Sequence, residues 1–230
     1  MDRKSILLNE KRKYDLPETI SEEELALLEK GTPIQKIIGY IQFDKVIINI
    51  NRNVLIPRYE TEEVILEALK YIKQDSNVLD LCTGSGFIGL TIKEKTNANV
   101  TMSDISDEAI LQAKENAKLN NLDVKIIQSD LFNNIDDKFD VIVSNPPYIR
   151  EDEPLPESVE KFEPSNALFG GQDGNYFYKE IIKQAPNHLK PNGILIFEIG
   201  KDNVEFMKQN NFEILDDINN LPRIAIKKEW

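Results

Sequence analysis

Val78-Leu79-Asp80-Leu81-Cys82-Thr83-Gly84-Ser85-Gly86-Phe87-Ile88-Gly89 decides the fold. It reads as an apolar strand that runs into a glycine turn and opens a helix. Glycine allows tight backbone turns and lets a ligand approach the main chain closely. Asp104 ends the next apolar run, about 20 residues beyond the turn, the spacing expected of a carboxylate that binds ribose hydroxyls. Gly84-x-Gly86-x-x-Gly89 also fits a dinucleotide fingerprint, so this segment alone leaves NAD and S-adenosylmethionine equally open.

On either side of that stretch, strands and helices alternate. Strands are expected over 77–81, 99–103, 124–128, 139–144 and 193–199, and helices over 86–95, from Ser106 to Asn120 and Asn121, and over 176–189. Such alternation implies an α/β fold: a doubly wound, Rossmann-like, mostly parallel sheet covered on both faces. The runs 212–214 and 223–227 read as a closing strand pair that adds an antiparallel terminal strand. Upstream, Ser21 caps a helix over 22–28 that Gly31 stops. The runs 40–43, 46–50 and 54–56 are β-rich and suggest a small hairpin. Thr61 then opens a helix whose apolar face carries Val64, Ile65, Ala68 and Ile72. Three parts result: a reduced helical segment over 1–38, a β-hairpin linker over 39–57, and a catalytic domain over 58–230. Residues 150–175 show no clean period and form a long loop, a feature usually kept for function.

The 230-residue chain is 40% hydrophobic and 30% charged, ordinary for a soluble globular protein. No apolar run reaches the ~18 residues needed to cross a bilayer. Met1-Asp2-Arg3-Lys4 leads into a polar segment without a signal-peptide core, so a cytoplasmic location is expected. One cysteine, Cys82, excludes an internal disulfide and a cysteine-clustered metal site. The single histidine, His188, belongs to a solvated loop or helix end, so a Ser-His-Asp mechanism lacks its parts and no metal is expected. Formal charge is −12, and residues 46–230 carry −11 of it. Nucleic-acid binders usually show a basic stripe. The acidic balance argues for a protein or small-molecule substrate, with no stable nucleic-acid binding and no membrane partner.

Two later features separate the cofactors. Asp130 ends the third strand, where an acid can accept from an adenine amino group while Leu131 packs on the ring. Asn145-Pro146-Pro147-Tyr148 then closes the fourth strand. The second proline donates nothing to a ladder and restrains the residue before it, so the turn is stiff. Read only as structure, it is a proline-rich turn. Read as chemistry, it presents a side-chain amide, carbonyls and an aromatic face to a planar NH2 group, and it has no task in hydride transfer. Acceptors on both N–H bonds of an amide or exocyclic amine aim its lone pair, and they bind more strongly as positive charge grows on nitrogen. The Asn145 side-chain oxygen and the Pro146 carbonyl are placed for this, with Tyr148 as a stacking surface. Asp107, Asp123 and Asp140 read as capping or surface residues, because ligands in open α/β sheets bind at the carboxyl ends of strands.

Asp80, Gly84, Gly86, Asp104, Asp130 and Asn145 together resemble the class I S-adenosylmethionine-dependent methyltransferase pattern. The turn itself suits adenine N6 and glutamine N5 equally. Its flanks are more specific: 54–62 (Val-Leu-Ile-Pro-Arg-Tyr-Glu-Thr-Glu), Phe162-Glu163-Pro164-x-x-Ala167-Leu168, Gly170-Gly171-x-Asp173-Gly174 and Phe197-Glu198-Ile199-Gly200. In this order they resemble the HemK-like (PrmC-type) release-factor glutamine methyltransferases, over about residues 33–230. The resemblance implies N5-methylation of the glutamine in the Gly-Gly-Gln loop of peptide chain release factors, with S-adenosylmethionine as donor. Adenine-N6 methylation of DNA or RNA is the alternative. The resemblance also implies cofactor contacts at Asp80, Cys82, Thr83, Gly84, Ser85, Gly86, Asp104, Asp130, Leu131 and Asn145. It implies substrate contacts at Asn145, Pro146, Pro147 and Tyr148, with Arg58, Glu60, Thr61 and Glu62 shaping the pocket. Read without it, those last four form a charge network at a helix N-terminus. Three departures stand out. Cys82 replaces a common glycine and fits only where φ is negative. Tyr59 replaces a proline, which loosens its turn. The segment before Gly31 is shorter than the family's helical N-terminal domain. Gly170-Gly171-Gln172 falls in a family loop, and its likeness to the substrate sequence is read as chance.

Overall fold

The computed structural model describes residues 2–230. Its chain runs through α1 (Arg3–Lys13), α2 (Glu22–Glu29), α3 (Ile34–Ile38), β1 (Tyr40–Phe43), β2 (Val46–Asn49), α4 (Thr61–Leu69), β3 (Asn77–Leu81), α5 (Phe87–Thr96), β4 (Asn99–Asp104), α6 (Asp107–Leu119), β5 (Lys125–Gln128) and β6 (Phe139–Ser144). After these come α7 (Glu157–Glu160), α8 (Tyr176–His188), β7 (Leu189–Glu198), α9 (Val204–Gln209), β8 (Glu213–Asp216) and β9 (Pro222–Lys227). Seven strands form one sheet in the order β5-β4-β3-β6-β7-β9-β8. The first five pair in parallel, while β9 runs antiparallel to both β7 and β8. Strand order reverses around β3, so the carboxyl ends of β3, β4 and β6 flank a crevice.

Strand side chains alternate between faces, and this divides the core in two. Val78, Val100, Met102, Val141 and Val143 pack on one side with α4, α5 and the hairpin. Leu79, Leu81, Ile142, Leu195 and Phe197 pack on the other with Tyr178 and Ile181 of α8 and Met207 of α9. Each such aliphatic or aromatic residue, fully buried, contributes about 1.5–3 kcal/mol relative to exposure. The Ser21 cap takes capping-box form, the Ser21 hydroxyl accepting from Glu24 N–H and the Glu24 carboxylate accepting from Ser21 N–H.

Three local expectations differ from the structure. Residues 54–56 form no strand. The free edge of β2 is taken by Asn116 of α6 and by Asn120 at its C-cap, and the Ile56 N–H is spent on the Glu163 carboxylate at 3.0 Å. The 150–175 loop contains α7 and a 3-10 turn at Ser165–Ala167, both capped by prolines. His188 is the last residue of α8. It is half-buried rather than solvated, its ring stacked on Phe132 with centroids 4.4 Å apart. Among the described residues, no helix is long and apolar enough to cross a membrane.

Candidate active site

The turn after β3 is built from left-handed residues: Cys82 (φ 63°), Gly84 (φ 56°) and Gly86 (φ 89°). Cys82 thus occupies the conformation in which a side chain was not expected. A left-handed non-glycine residue costs about 1–2 kcal/mol, partly offset by the lower chain entropy that cysteine has relative to glycine when unfolded. Cys82→Gly should therefore change stability by less than about 1 kcal/mol, read as a melting temperature. A large loss would mean that the thiol's packing, not the backbone, holds the turn.

Asp80 is fully buried. Its Oδ2 accepts from Gly89 N–H at 2.8 Å and from the Thr83 hydroxyl, while Oδ1 has no partner. Burial pushes its carboxyl up to about 7, against those two hydrogen bonds. Gly89 is fixed by close packing: a Cβ there would lie 2.6 Å from Met102 Cγ. At the end of β4, Asp104 Oδ2 accepts from Gly84 N–H and Oδ1 from Ser106 N–H, each at 2.9 Å. Burial raises its carboxyl despite these bonds. Beyond β5, Ser129 N–H donates to the Asp104 carbonyl at 2.9 Å, which brings Asp130 and Leu131 beside the turn. The Ser144 hydroxyl donates to the Leu81 carbonyl at 2.6 Å and locks the ends of β3 and β6 together. Asn145 follows directly, half-buried, and its side chain takes no hydrogen bond among the described residues.

These strand ends enclose a cavity of about 340 Å³. Cys82, Thr83, Gly84, Ser85, Asp104, Asp130, Leu131, Asn145, Pro147 and Thr61 all line it. Asp80 and Gly86 do not. Asp80 shares the strand face of Val78 and braces the turn from behind, and a Cβ on Gly86 would meet Met102 Cε at 2.8 Å. Pro146, Tyr148, Arg58, Glu60 and Glu62 also stand off the wall. The Tyr148 ring lies against Gly200, where an added Cβ would approach it to 3.2 Å. Burial, with the Glu198 carboxylate nearby, raises its hydroxyl pKa. Two aromatics line the cavity instead: Phe87, which opens α5, and Phe177, in the first turn of α8. Asn53, Ile105 and Asn166 are further wall residues that sequence reasoning missed. Only Ile105 carried a signal, as an apolar residue directly after a strand-end acid.

Arg58 serves an ion pair across the chain. Its guanidinium donates to Glu163 Oε1 at 2.6 Å, and the other Glu163 oxygen accepts from Ile56 N–H. Glu163 thus joins the 54–62 segment to the 162–168 segment over one cavity wall. Glu163→Ala would leave the Ile56 N–H unpaired and the half-buried Arg58 guanidinium without its counter-charge, holding only the Ile56 carbonyl, at a cost of about 2–3 kcal/mol. The expected drop in melting temperature is about 4–12 °C; an unchanged melting curve would refute it. Thr61 donates to Glu198 Oε2 at 2.7 Å, and burial raises that carboxyl. Glu60 precedes α4 without a side-chain capping bond, and Glu62 lies in its first turn, where burial raises the Glu62 carboxyl. Tyr59 does not loosen its segment: its hydroxyl donates to Glu10 of α1, and Lys13 Nζ sits 4.1 Å from its ring centre.

A family model described as "MTS: Methyltransferase small domain" matches residues 60–162. The chain is 42% identical over 194 residues to the release factor glutamine methyltransferase of Lactococcus lactis, covering 80% of this chain and 72% of that protein. It is 38% identical over 240 residues to the protein of the same name from Fusobacterium nucleatum, covering 94% of this chain and 68% of that one. Among solved structures, a methyltransferase from Pyrococcus furiosus superposes with a TM-score of 0.61 at 18% identity, covering 90% of this chain and 98% of that chain. At that identity the likeness speaks to the fold alone.

Proposed function

This chain belongs to the release factor glutamine methyltransferase family, and from that premise we propose that it methylates the side-chain amide nitrogen (N5) of the glutamine in the Gly-Gly-Gln loop of peptide chain release factors, with S-adenosylmethionine as donor. The observation that carries the reading is one cavity shared by the glycine turn, the Asp104 carboxylate and the hydrogen-bond-free carboxamide of Asn145. Its volume of about 340 Å³ lies within the range of small-molecule sites. An added Cβ on Gly84 would meet nothing within 4 Å, which leaves that backbone open to a ligand. Asp104 suits the ribose hydroxyls, Asp130 the adenine amino group, and Leu131 with Ile105 the faces of the ring.

When bound, the donor supplies an electrophilic methyl group on a sulfonium. The protein's share is positioning and electrostatics. Asn145 Oδ1 accepts one N–H of the incoming carboxamide, whereas Pro146, expected to supply the second acceptor, stands off the wall that Pro147 lines. Phe177 takes the stacking role first assigned to Tyr148, which instead buttresses the turn against Gly200. Asp80 and Gly86 act from behind the donor turn by holding its shape. Arg58, Glu60 and Glu62 set the frame of the substrate side, and Thr61 lines it. In this reading residues 58–230 are the catalytic unit, 39–57 a linking hairpin and 1–38 a helical segment that meets the protein substrate, and the enzyme works in the cytoplasm without binding nucleic acid stably.

The test is incubation with labelled S-adenosylmethionine and a release factor, either wild type or with the loop glutamine changed to alanine. Label is expected on the first and not on the second. Undiminished label on the alanine form would overturn the glutamine assignment, and label in DNA or RNA would favour the adenine-N6 alternative.

A further inference from the structure

Gln112 and Asn116 of α6, with Asn120 at its C-cap, lie on one face at four-residue spacing. They meet the edge of β2 that no strand pairs. Ile47 N–H donates to Asn120 Oδ1 at 2.9 Å, and Asn120 Nδ2 donates back to the Ile47 carbonyl at 2.7 Å. Asn49 N–H donates to Asn116 Oδ1 at 2.9 Å, and Asn116 Nδ2 returns to the Asn49 carbonyl at 3.0 Å. Arg52 N–H donates to Gln112 Oε1 at 2.9 Å. Three side-chain amides stand where the peptide groups of a neighbouring strand would be.

Asn116 does one thing more. Its Nδ2 also donates to the Ser85 carbonyl at 2.8 Å. A side-chain amide has two N–H bonds, and here one goes to the hairpin and the other to the donor turn. Asn116 is fully buried, so no water can take over either bond. Ser85 lines the cavity on one side. From Asn49 the chain continues through Arg52 to Asn53, Val54, Leu55 and Pro57, which line another part of the wall. Asn120 makes the same paired contact with β2 but does not reach the donor turn.

We propose that Asn116 is a positioning residue that couples the donor turn to the hairpin-borne wall of the cavity, so that donor binding and the order of that wall stabilise each other. The proposal rests on the reading that this cavity takes S-adenosylmethionine. Coupling of this kind is reciprocal. Occupying the donor site should slow opening of the Asn49 rung, and cutting the Asn116 rung should weaken the donor site. An amide that merely caps an edge strand would do neither selectively.

The test begins with wild-type protein and S-adenosylhomocysteine, using calorimetry for binding and amide hydrogen exchange for the rungs. In the loaded protein, exchange at Asn49 should slow by about fivefold or more while amides of β8 stay unchanged. An unchanged Asn49 rate in protein that calorimetry finds saturated would overturn the coupling alone. No calorimetric binding would overturn the donor reading and the coupling with it. Variants supply a second measurement. Asn116→Ala should raise the dissociation constant and the KM for donor by about tenfold or more, with kcat at saturating donor nearly unchanged, whereas Asn120→Ala should keep donor affinity within about threefold of wild type. A folded Asn116→Ala that binds normally, or an Asn120→Ala that weakens the donor equally, would overturn the proposal. If Asn116→Ala does not fold, the wild-type exchange experiment decides.

Discussion

Asn145→Ala should lower kcat for methyl transfer by about a hundred- to a thousandfold, while the protein keeps its fold and its melting temperature. A carboxamide nitrogen is a poor nucleophile because its lone pair is delocalised into the carbonyl. An acceptor on its N–H helps twist that pair toward the electrophile, and it binds harder as nitrogen becomes positive. Removing one preorganised polar group that acts mainly in the transition state costs about 2.7–4 kcal/mol. The fold should survive because the Asn145 side chain satisfies no other group in the chain, while the turn is held by its neighbours. The Ser144 hydroxyl grips Leu81, Ile149 N–H donates to the Leu168 carbonyl at 2.9 Å, and Gly170 N–H donates to the Ile149 carbonyl at 2.8 Å. Stability should therefore shift by less than about 0.5 kcal/mol. Single-turnover rates with labelled donor, beside a thermal melt, make the check. A rate within tenfold of wild type would remove Asn145 from the chemistry.

What could be read from the sequence was what is local. The β3–turn–α5 unit and its strand-end acids follow from short-range pattern, and alternation carried the sheet as far as β9. Parity is the first thing that escaped. Asp80 and Asp104 look alike as acids at strand ends, yet Asp80 shares the Val78 face and turns under the helix, while Asp104 closes its strand at the cavity. Identifying which strand residue is the last before the turn would have separated them. Long-range pairing is the second. Glu163 holds Arg58 across 105 positions, and Asn116 holds Asn49 across 67, with no periodicity to announce either. Tyr148 illustrates the third. An aromatic beside a reactive turn invites a stacking role, but Gly200 offers its ring a flat backbone surface, and Phe177 of α8 lines the cavity instead. Left-handed Cys82 is the fourth, because a hydrogen-bonded turn can hold a side chain where φ preference alone would place glycine. Thr83 N–H to the Ser103 carbonyl and Gly86 N–H to the Thr83 carbonyl, both at 2.9 Å, hold that turn.

The second large effect is expected at Gly174, a residue outside the cavity wall. Its φ is 69°, and a Cβ there would lie 2.4 Å from the Tyr148 carbonyl oxygen. The obstructing atom is backbone, so no rotamer change can relieve it. Gly170 beside it is equally confined: a Cβ would meet the Pro147 carbonyl oxygen at 2.6 Å and Tyr148 Cα at 2.9 Å. The 170–174 loop is thus pressed against the back of the turn that aims Asn145. In Gly174→Ala, either the loop withdraws or the turn moves, and a displacement near 1 Å at a positioned group costs about a hundredfold in rate. Overpacking should add about 1–3 kcal/mol of lost stability to the left-handed cost of about 1–2 kcal/mol. Gly31→Ala supplies the control, because Gly31 also has a left-handed φ of 80° but an added Cβ meets nothing within 4 Å. It should lose stability by the conformational cost alone and keep its kcat at saturating protein substrate. The comparison separates strain from crowding: if Gly174→Ala melts and turns over like Gly31→Ala, the loop does not hold the turn, and the alignment of Asn145 must come from β6 and its two prolines.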